Sequence, residues 1–321
     1  RGLVLRCSIA PAKIILFGEH FVVKGKPGLG VAISRYAKVC VKEGSNRVYS
    51  TQLGLLEKGS KNRALFDEAI EHIGEFAGKN ICLDVYVDSP IPMASGLGSS
   101  AAVAVALVHA TLGLLDIEFT KEDVRKIAHE AEKAVHYKPS GVDTTLATYG
   151  GFLYYRRGEF RLLDDLQLPT DLSLIIVNTG VKRSTGVIVR DVLGRYERIK
   201  RVARHIYEAG REIVKSALRA IKRGDKKLLG ELMLVNQGLL WSMGASSRQC
   251  DELIYRLLDL GALGAKITGA GRGGVVIGLA SKGMAKFIVN ELIKNGFEAF
   301  IAKPEYNGVR HVNSDQILLF S

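Results

Sequence analysis

The sequence predicts an α+β fold built from two domains. Segments with strand and helix character follow one another irregularly, without the regular βαβ repeat of a doubly wound parallel sheet. The 321 residues exceed the usual size of a single domain, and one large domain is the alternative. We place the boundary near Pro169, which gives an N-terminal domain of residues 1–170 and a C-terminal domain of residues 171–321.

Strand patterns dominate the start of the chain. Residues 4–9 alternate between apolar and polar side chains, and residues 14–17 form a short apolar run. These two patterns are typical of half-buried and fully buried strands. In the N-terminal half, strands are predicted at 4–9, 14–17, 37–41, 81–87 and 151–156.

One long stretch, from residue 89 to residue 115, contains no Asp, Glu, Lys or Arg. It therefore has to be tested as a membrane span. Its prolines and glycines leave only about fifteen suitable residues after residue 100, whereas a span needs roughly twenty. We expect a buried helix at 101–115 and no membrane partner.

The remaining helices are charged. One is predicted at 62–77, and a second runs to about residue 136 from Thr120, which serves as N-cap with Asp123 at the third helical position. The second half opens with a long charged helical region at about 185–223. After it we predict helices at 225–243, 247–260 and 283–295, and strands at 173–177, 265–268, 274–279 and 298–302.

Glycine and positive charge are both in surplus. Thirty-five residues are Gly and the formal net charge is +12, but there is no G-X-Y period and there are only seven prolines, which excludes collagen-like and low-complexity chains. The charge raises the alternative of a nucleic-acid-binding protein, yet no RNP motif, Arg-Gly tract or aromatic array is present. Because residues 182–223 hold 13 Lys and Arg against 4 Asp and Glu, we interpret the charge as a solvated helix face that attracts small anions, and expect no nucleic-acid partner.

The cysteines give no sign of a metal cage or a disulfide framework. Cys7, Cys40, Cys82 and Cys250 are scattered, without a C-x-x-C pair or a His at zinc spacing. We expect structural thiols, with a disulfide left open for an intracellular hyperthermophile protein. The first residues show no signal-peptide pattern, so the expected location is cytoplasmic.

The segment at 92–102, PMASGLGSSAA, is the most informative. Gly96 and Gly98 permit positive φ and a close approach of a ligand to the backbone, and the helix that follows can hold phosphate with its free N–H groups. Ser99 and Ser100 add hydroxyl groups, and Ser100 can also reach a cation. The alternative is a tight, serine-capped turn ahead of a buried helix, and the Walker pattern is absent.

A second glycine cluster lies at 266–274, KITGAGRGG, between two short apolar strands. A plain hairpin needs one or two glycines, whereas this segment has four within six residues. Either a nest for anionic groups or a close turn against the first glycine segment would explain that density.

A group of charged residues completes the pattern. Lys13, Glu19 and His20 surround an apolar strand in APAKIILFGEH, and Asp143 lies in a predicted turn in PSGVD. Singly, each is typical of a strand end or a turn. Together with Glu132 and a phosphate loop they suffice for phosphoryl transfer to an alcohol, because such catalysis is mainly positioning and electrostatics.

These segments, in this order, resemble the GHMP kinases, a superfamily of galactokinases, homoserine kinases, mevalonate kinases and phosphomevalonate kinases. The resemblance covers nearly the whole chain, with the three family motifs at 10–20, 92–102 and 266–274. GEHFVV at 18–23 is similar to the G-E-H-A-V-V of mevalonate kinases, the archaeal type being expected, where galactokinases have G-E-H-T-D-Y. PSGVD at 139–143, with TYGG shortly after it, is similar to the same group.

The resemblance implies a fold, a reaction and its partners. The N-terminal domain would be similar to domain 2 of ribosomal protein S5, the C-terminal domain would be ferredoxin-like, and ATP and substrate would bind between them. The reaction would be ATP-dependent phosphorylation of the 5-hydroxyl of (R)-mevalonate in isoprenoid biosynthesis, with Mg²⁺ as cofactor and a homodimer as the assembly. The alternative is another small-alcohol kinase of the superfamily: phosphomevalonate kinase, galactokinase or homoserine kinase.

The resemblance also implies roles for individual residues. Asp143 would accept the substrate hydroxyl proton, and Lys13 beside it would stabilise the carboxylate and the developing alkoxide. Ser100 and Glu132 would hold Mg²⁺. The implied mevalonate-binding residues are Glu19, His20, Val23, Tyr149 and Thr185. The implied ATP-binding residues are Pro92, Met93, Ala94, Ser95, Gly96, Leu97, Gly98, Ser99, Ser100, Ala101, Ala102, Gly269 and Gly271.

Four positions depart from the family pattern. Ala12 replaces the glycine of A-P-G-K, which is harmless if this residue has negative φ. Arg272 interrupts the G-A-G-G-G-G run, either as a surface side chain or as an added cation that faces the nucleotide phosphates. Thr144 and Thr145 stand where asparagine and alanine are common, so the hydrogen bonding beside Asp143 is expected to differ.

Overall fold

Two sheets, each covered by helices, make up the fold. The computed structural model describes residues 5–136, 139–182 and 184–313. The strands are β1 (Arg6–Phe17), β2 (Gly28–Glu43), β3 (Val48–Ser50), β4 (Gly54–Leu55), β5 (Leu83–Asp88), β6 (Phe152–Arg156), β7 (Glu159–Leu162), β8 (Leu172–Asn178), β9 (Gly264–Ile267), β10 (Val275–Ser281), β11 (Ala299–Ala302) and β12 (Arg310–Val312). The helices are α1 (Ala64–Ala77), α2 (Ser99–Leu114), α3 (Lys121–Glu132), α4 (Val142–Tyr149), α5 (Thr185–Arg198), α6 (Lys200–Arg223), α7 (Lys226–Ser242), α8 (Arg248–Asp259) and α9 (Lys282–Lys294).

The first sheet is built around the long antiparallel pair β1 and β2. Its order is β12-β1-β2-β5-β3-β4, and β6 pairs with β2 and carries β7. Helix α2 lies against β1 and β2, with α1, α3 and α4 packed around it. All residues of α2 from 101 to 112 are buried, so the prediction of a buried helix is confirmed. Within the described residues, no helix is long and apolar enough to cross a membrane.

The second sheet has the order β11-β8-β10-β9, and every neighbouring pair in it is antiparallel. Numbered within the sheet, this order is 4-1-3-2, with helices between the first and second strands and between the third and fourth. That is the βαββαβ arrangement of ferredoxin-like domains. The α+β prediction is therefore confirmed. Buried residues of α8 and α9, among them Leu257 and Leu292, pack on this sheet.

The last described strand returns to the first sheet. Strand β12 belongs to the second half of the chain, yet it pairs with β1, placing Cys7 opposite Val312 and Ile9 opposite Arg310. The division at residue 170 stays a prediction, and β12 ties its two parts together.

Several elements differ from the sequence prediction. Residues 6–9 and 14–17, from two predicted strands, belong to one continuous β1, in which an irregular register between Pro11 and Ala12 accommodates the proline. Residue 4, where the first strand was predicted to begin, lies outside the described residues. The charged region 185–223 forms two helices that meet at Ile199, whose backbone is not helical. Asp143, expected in a turn, lies in the first turn of the short helix α4. The predicted cap of α3 is confirmed, because Thr120 and Asp123 form a capping box.

The cysteine prediction is wrong for two of the four residues. Cys7 on β1 and Cys40 on β2 are directly opposite each other and form a disulfide, while Cys82 and Cys250 are free. Spacing along the chain could not show this, because the pairing depends on the register between the two strands.

We expect the Cys7–Cys40 disulfide to stabilise the fold substantially. It closes a loop of 33 residues, for which the loss of chain entropy in the unfolded state corresponds to about 3–4 kcal/mol. The free energy of unfolding in urea should fall by about that amount in Cys7→Ser/Cys40→Ser, and the control Cys82→Ser should leave it unchanged. The denatured, unreduced protein should titrate as two thiols; four thiols would contradict the bond.

Candidate active site

Lys13 connects three parts of the N-terminal domain. Its backbone N–H donates to the Leu97 carbonyl at 2.9 Å, which attaches β1 to the glycine-serine segment. Its ammonium group donates to the Gly96 carbonyl at 2.9 Å and lies 3.1 Å from the Asp143 carboxylate. Because the Lys13 side chain is only 8% exposed, its charge acts on these partners with little screening by water. The expected neighbourhood of Lys13 and Asp143 is present in the structure.

The segment 92–102 is held open in front of helix α2. Ala94, Gly96 and Gly98 all have positive φ, at 55°, 87° and 74°, so successive N–H groups turn toward one side, as in an anion-binding nest. The hydroxyl of Ser95 donates to the Pro92 carbonyl at 2.6 Å and fixes the turn from inside. No side chain caps the first N–H groups of α2, which leaves them available to phosphate oxygens.

Gly98 is favoured by its φ of 74°, and a side chain would fit here only if the Lys13 side chain shifted slightly. A Cβ at this position would lie 3.1 Å from Cγ of Lys13 and 3.6 Å from a carboxylate oxygen of Asp143. The absence of a side chain therefore allows the lysine, the acid and the start of α2 to meet. This places the candidate phosphate loop directly beside the candidate proton acceptor.

Asp143 is presented by the start of helix α4. Gly141, at φ 79°, begins the helix, and the hydroxyls of Thr144 and Thr145 both donate back to its carbonyl, at 3.2 and 2.6 Å. The two threonines thus brace the turn that carries Asp143. The Asp143 side chain is 36% exposed, which leaves it accessible to a ligand.

Ser100 and Glu132 also meet, as expected. The Ser100 hydroxyl donates to Glu132 Oε1 at 2.7 Å, and His136 Nε2 lies 3.1 Å from the same hydroxyl. Burial and then the nearby Asp143 charge raise the pKa of Glu132 to about 7, while the Ser100 hydrogen bond and Lys13 oppose the shift. His136 was not singled out in the sequence, because nothing in its local pattern relates it to a serine 36 positions earlier.

The chemistry of this pair fits Mg²⁺. In the described part of the chain no three His, Cys, Asp or Glu side chains converge to hold a metal, so a cation here would take few ligands from protein. Mg²⁺ commonly binds one or two carboxylates and completes its shell with phosphates and water. A buried carboxylate with a raised pKa would be relieved by a divalent charge, which makes Glu132 and Ser100 suitable donors.

The second glycine cluster docks on β1. The Thr268 hydroxyl donates to the Ile15 carbonyl at 2.8 Å and accepts the Ile15 N–H at 3.0 Å. His20 Nε2 lies 2.9 Å from the Ala270 carbonyl. Gly269 and Gly271, the two implied ATP contacts of this cluster, have φ of 68° and 80°. The cluster is therefore a close turn against β1 and His20, whereas the sequence had left open a close turn against the first glycine segment.

Glu19 lies in a different environment from the one expected for a pocket residue. Its fully buried carboxylate forms an ion pair with the fully buried Lys266 and accepts a hydrogen bond from Asn236 at 3.3 Å. Burial lowers the pKa of Lys266, and the Glu19 charge opposes that shift. No function was assigned to Lys266 or Thr268 from the sequence. A lysine between apolar strand residues, as at position 266, was nevertheless a signal that its charge would need a buried partner.

The other implied substrate residues are spread around the site. Val23 is half exposed in the 3-10 turn Phe21–Lys24, directly after His20. Tyr149 ends α4, and its hydroxyl donates to Glu122 at 3.0 Å. Thr185 begins α5 and is exposed. Their roles in substrate binding stay predictions.

Two of the departures from the family pattern are explained. Ala12 is not among the residues with positive φ, so its Cβ is tolerated. The Arg272 side chain donates to the Gly244 carbonyl at 2.7 Å and to Asp191 at 2.8 Å, which fits the reading as a surface side chain.

Comparisons with known proteins agree over most of the chain. Residues 64–151 match the GHMP kinases N terminal domain, and residues 217–299 match the GHMP kinases C terminal domain. A mevalonate kinase of Aeropyrum pernix is 38% identical over 94% of this chain and 96% of its own length, and one of Pyrococcus abyssi is 39% identical over 84% and 87%. The crystal structure of L. major mevalonate kinase in complex with R-mevalonate superimposes with a TM-score of 0.81 at 29% identity, covering 92% of this chain and 95% of that one. With both domains matched and such identity over nearly its full length, the chain belongs to the GHMP kinase family.

Proposed function

We propose that this protein transfers the γ-phosphoryl group of ATP to the 5-hydroxyl of (R)-mevalonate and releases 5-phosphomevalonate and ADP. The observation that carries the proposal is the Lys13–Asp143 pair, which lies at the start of α2 beside an uncapped phosphate loop. A cation, an acid and free backbone N–H groups are the parts that phosphoryl transfer to an alcohol requires.

ATP is held by the segment 92–102 and by the second glycine cluster. The left-handed turns at Gly96 and Gly98 direct backbone N–H groups toward the triphosphate, and Ser99 begins the helix behind it. Glu132 and Ser100 would hold Mg²⁺, which would supply positive charge against the nucleotide phosphates. These residues position the γ-phosphate and leave little covalent chemistry for the protein to perform.

Asp143 and Lys13 act on the substrate hydroxyl. Asp143 orients this hydroxyl for in-line attack and accepts its proton as the bond to phosphorus forms. Lys13, 3.1 Å from Asp143, stabilises negative charge on the attacking oxygen and on the phosphoryl group in transit. The loose transition state demands little early proton abstraction, so a carboxylate is a sufficient base.

Mevalonate is favoured over other small alcohols by two observations. GEHFVV at 18–23 places Val22 and Val23 where a sugar kinase of the family has polar residues, and an apolar side chain suits the methyl-bearing carbon of mevalonate. Relatives that are 36–38% identical over 94% of this chain carry the name mevalonate kinase. The domain division at residue 170, the homodimer and the roles of His20, Tyr149 and Thr185 belong to the same proposal.

A substrate panel tests the proposal directly. ADP release would be followed with ATP, Mg²⁺ and each of mevalonate, phosphomevalonate, galactose and homoserine. We expect turnover with mevalonate at a kcat/KM at least about 100-fold above the others. A wrong substrate leaves polar groups of the site unpaired or clashes with its side chains, which raises the free energy of the transition state by several kcal/mol. Absence of turnover with mevalonate, or a preference for another alcohol, would refute the choice of substrate.

The first pair of variants tests the catalytic roles. Asp143→Asn should lower kcat by about 10²–10⁴-fold, because the proton acceptor is lost, while the affinity for ATP stays within a few-fold. Lys13→Met should lower kcat by about 10²–10³-fold through loss of electrostatic stabilisation. Both effects are measured in the ADP-release assay and by nucleotide titration.

Asp165→Asn serves as the matched control, because Asp165 is exposed and lies outside the site. It should retain wild-type kcat. If Asp143→Asn retained activity comparable to this control, Asp143 would not be the proton acceptor.

The raised pKa of Glu132 predicts a pH dependence for Mg²⁺ binding. Since Mg²⁺ binds the ionised carboxylate and a proton competes for it, the apparent Mg²⁺ affinity should fall by up to about tenfold per pH unit below pH 7 and level off above pH 8. Calorimetric Mg²⁺ titrations with a non-hydrolysable ATP analogue measure it. Glu132→Gln should bind Mg²⁺ weakly and show only the titration of the nucleotide itself; identical profiles for the two proteins would contradict the assignment.

A further inference from the structure

Arg272 occupies an unfavourable backbone position. Its φ is 53°, in the left-handed region, and the residues on either side, Gly271, Gly273 and Gly274, also have positive φ. A glycine would adopt this conformation without a steric penalty. At this position the Arg272 side chain makes interactions that can offset the penalty.

Those interactions are specific. The guanidinium Nε donates to the Gly244 carbonyl at 2.7 Å, and Nη1 donates to Asp191 at 2.8 Å. The Arg272 backbone N–H donates to the Ala245 carbonyl at 2.8 Å. Turning the side chain toward nucleotide phosphates would break both side-chain contacts. The geometry therefore argues against the alternative in which Arg272 is an added cation that faces the nucleotide phosphates.

Asp191 lies in the second turn of α5, while the other end of this helix is held by the Lys24–Glu197 ion pair. Only Ile188, Val192 and Tyr196 of its residues are buried. Just before α5, the chain is bonded to the same glycine cluster: the Thr179 N–H donates to the Gly274 carbonyl at 2.8 Å and the Gly274 N–H donates to the Val181 carbonyl at 3.0 Å. The start of α5 therefore lies between two anchors, one at Gly274 and one at Arg272.

We propose that Arg272 is a positioning residue that fixes the start of α5, and with it Thr185, against the second glycine cluster through its ion pair with Asp191. This rests on the proposed function, in which Thr185 contacts the alcohol substrate. The cluster itself is attached to β1 two residues from Lys13 by the Thr268–Ile15 hydrogen bonds. Lys13 on β1 is thereby connected, through the second glycine cluster and Arg272, to the start of α5 and Thr185.

Two measurements separate this inference from its alternatives. Hydrogen exchange of residues 185–198 reports how firmly α5 is held, and steady-state kinetics reports KM for each substrate. The variants are Arg272→Gly, Asp191→Ala and their combination, with Arg272→Lys as the conservative variant. Arg248→Ala, which removes an exposed ion pair with Glu252 on α8, is the matched control.

Because the ion pair is partly exposed, Arg272→Gly and Asp191→Ala should each speed exchange in the first two turns of α5 about two- to fivefold and raise KM for mevalonate by a similar factor, with KM for ATP within twofold. The double variant should equal Arg272→Gly, because Arg272→Gly already removes the partner of Asp191, while Asp191→Ala leaves the Gly244 contact in place. Arg272→Lys should recover part of the effect, and Arg248→Ala should behave as wild type.

Unchanged exchange in α5 would overturn the inference. So would a rise in KM for ATP in Arg272→Gly that Asp191→Ala does not share, because it would place the guanidinium on the nucleotide. A purely structural role would lower thermal stability without moving either KM, which also refutes it. If the wild-type protein fails to phosphorylate mevalonate, the proposed function fails, and the exchange data still decide whether Arg272 holds α5.

Discussion

The candidate site depends on the position of one cation, the ammonium group of Lys13. It is bound to the Gly96 carbonyl and paired with Asp143, and the backbone of the same residue is bonded to Leu97. A single residue of β1 thereby sets the distance between the phosphate loop and helix α4. Because the lysine is almost fully buried, loss of either partner would leave a poorly solvated charge, which is strongly destabilising. The geometry of loop, acid and cation is therefore fixed before any ligand arrives, which is the preorganisation that electrostatic catalysis needs.

A second set of contacts aligns the C-terminal domain with this arrangement. Thr268 hydrogen-bonds both backbone groups of Ile15, and Lys266 forms a buried ion pair with Glu19. Buried ion pairs contribute little net stability, because desolvation offsets most of the attraction, but removing one partner is costly. We interpret the Lys266–Glu19 pair as a constraint on registry: β9 and the end of β1 meet in the one arrangement that leaves neither charge alone. In this arrangement Glu19 links the end of β1 to β9, directly before His20 in the chain.

Local sequence patterns predicted the parts of the site that are local. The spacing of Gly96, Gly98 and Ser100 predicts a phosphate loop ahead of a helix, and the structure has a turn with positive φ at both glycines directly before the uncapped start of α2. The pairings of Lys13 with Asp143 and of Ser100 with Glu132 span 130 and 32 positions; they were accessible only because the ordered motifs resemble a known family. The features that depend on tertiary packing were not predicted from the sequence. The eight-residue helix α4 is too short to show a periodic pattern and is braced by threonine hydroxyls, while the partners of Lys266, Tyr149 and Cys7 lie on elements far away in the chain.

The most direct test of this account is a crystal structure of the complex with mevalonate, Mg²⁺ and a non-hydrolysable ATP analogue. The account predicts the 5-hydroxyl oxygen within hydrogen-bond distance of both the Asp143 carboxylate and the Lys13 ammonium, roughly 2.6–3.2 Å. It also predicts the triphosphate along residues 96–100 and the metal on Glu132 and Ser100. A complex in which the hydroxyl lies away from Asp143, or the triphosphate away from the start of α2, would contradict the central claim.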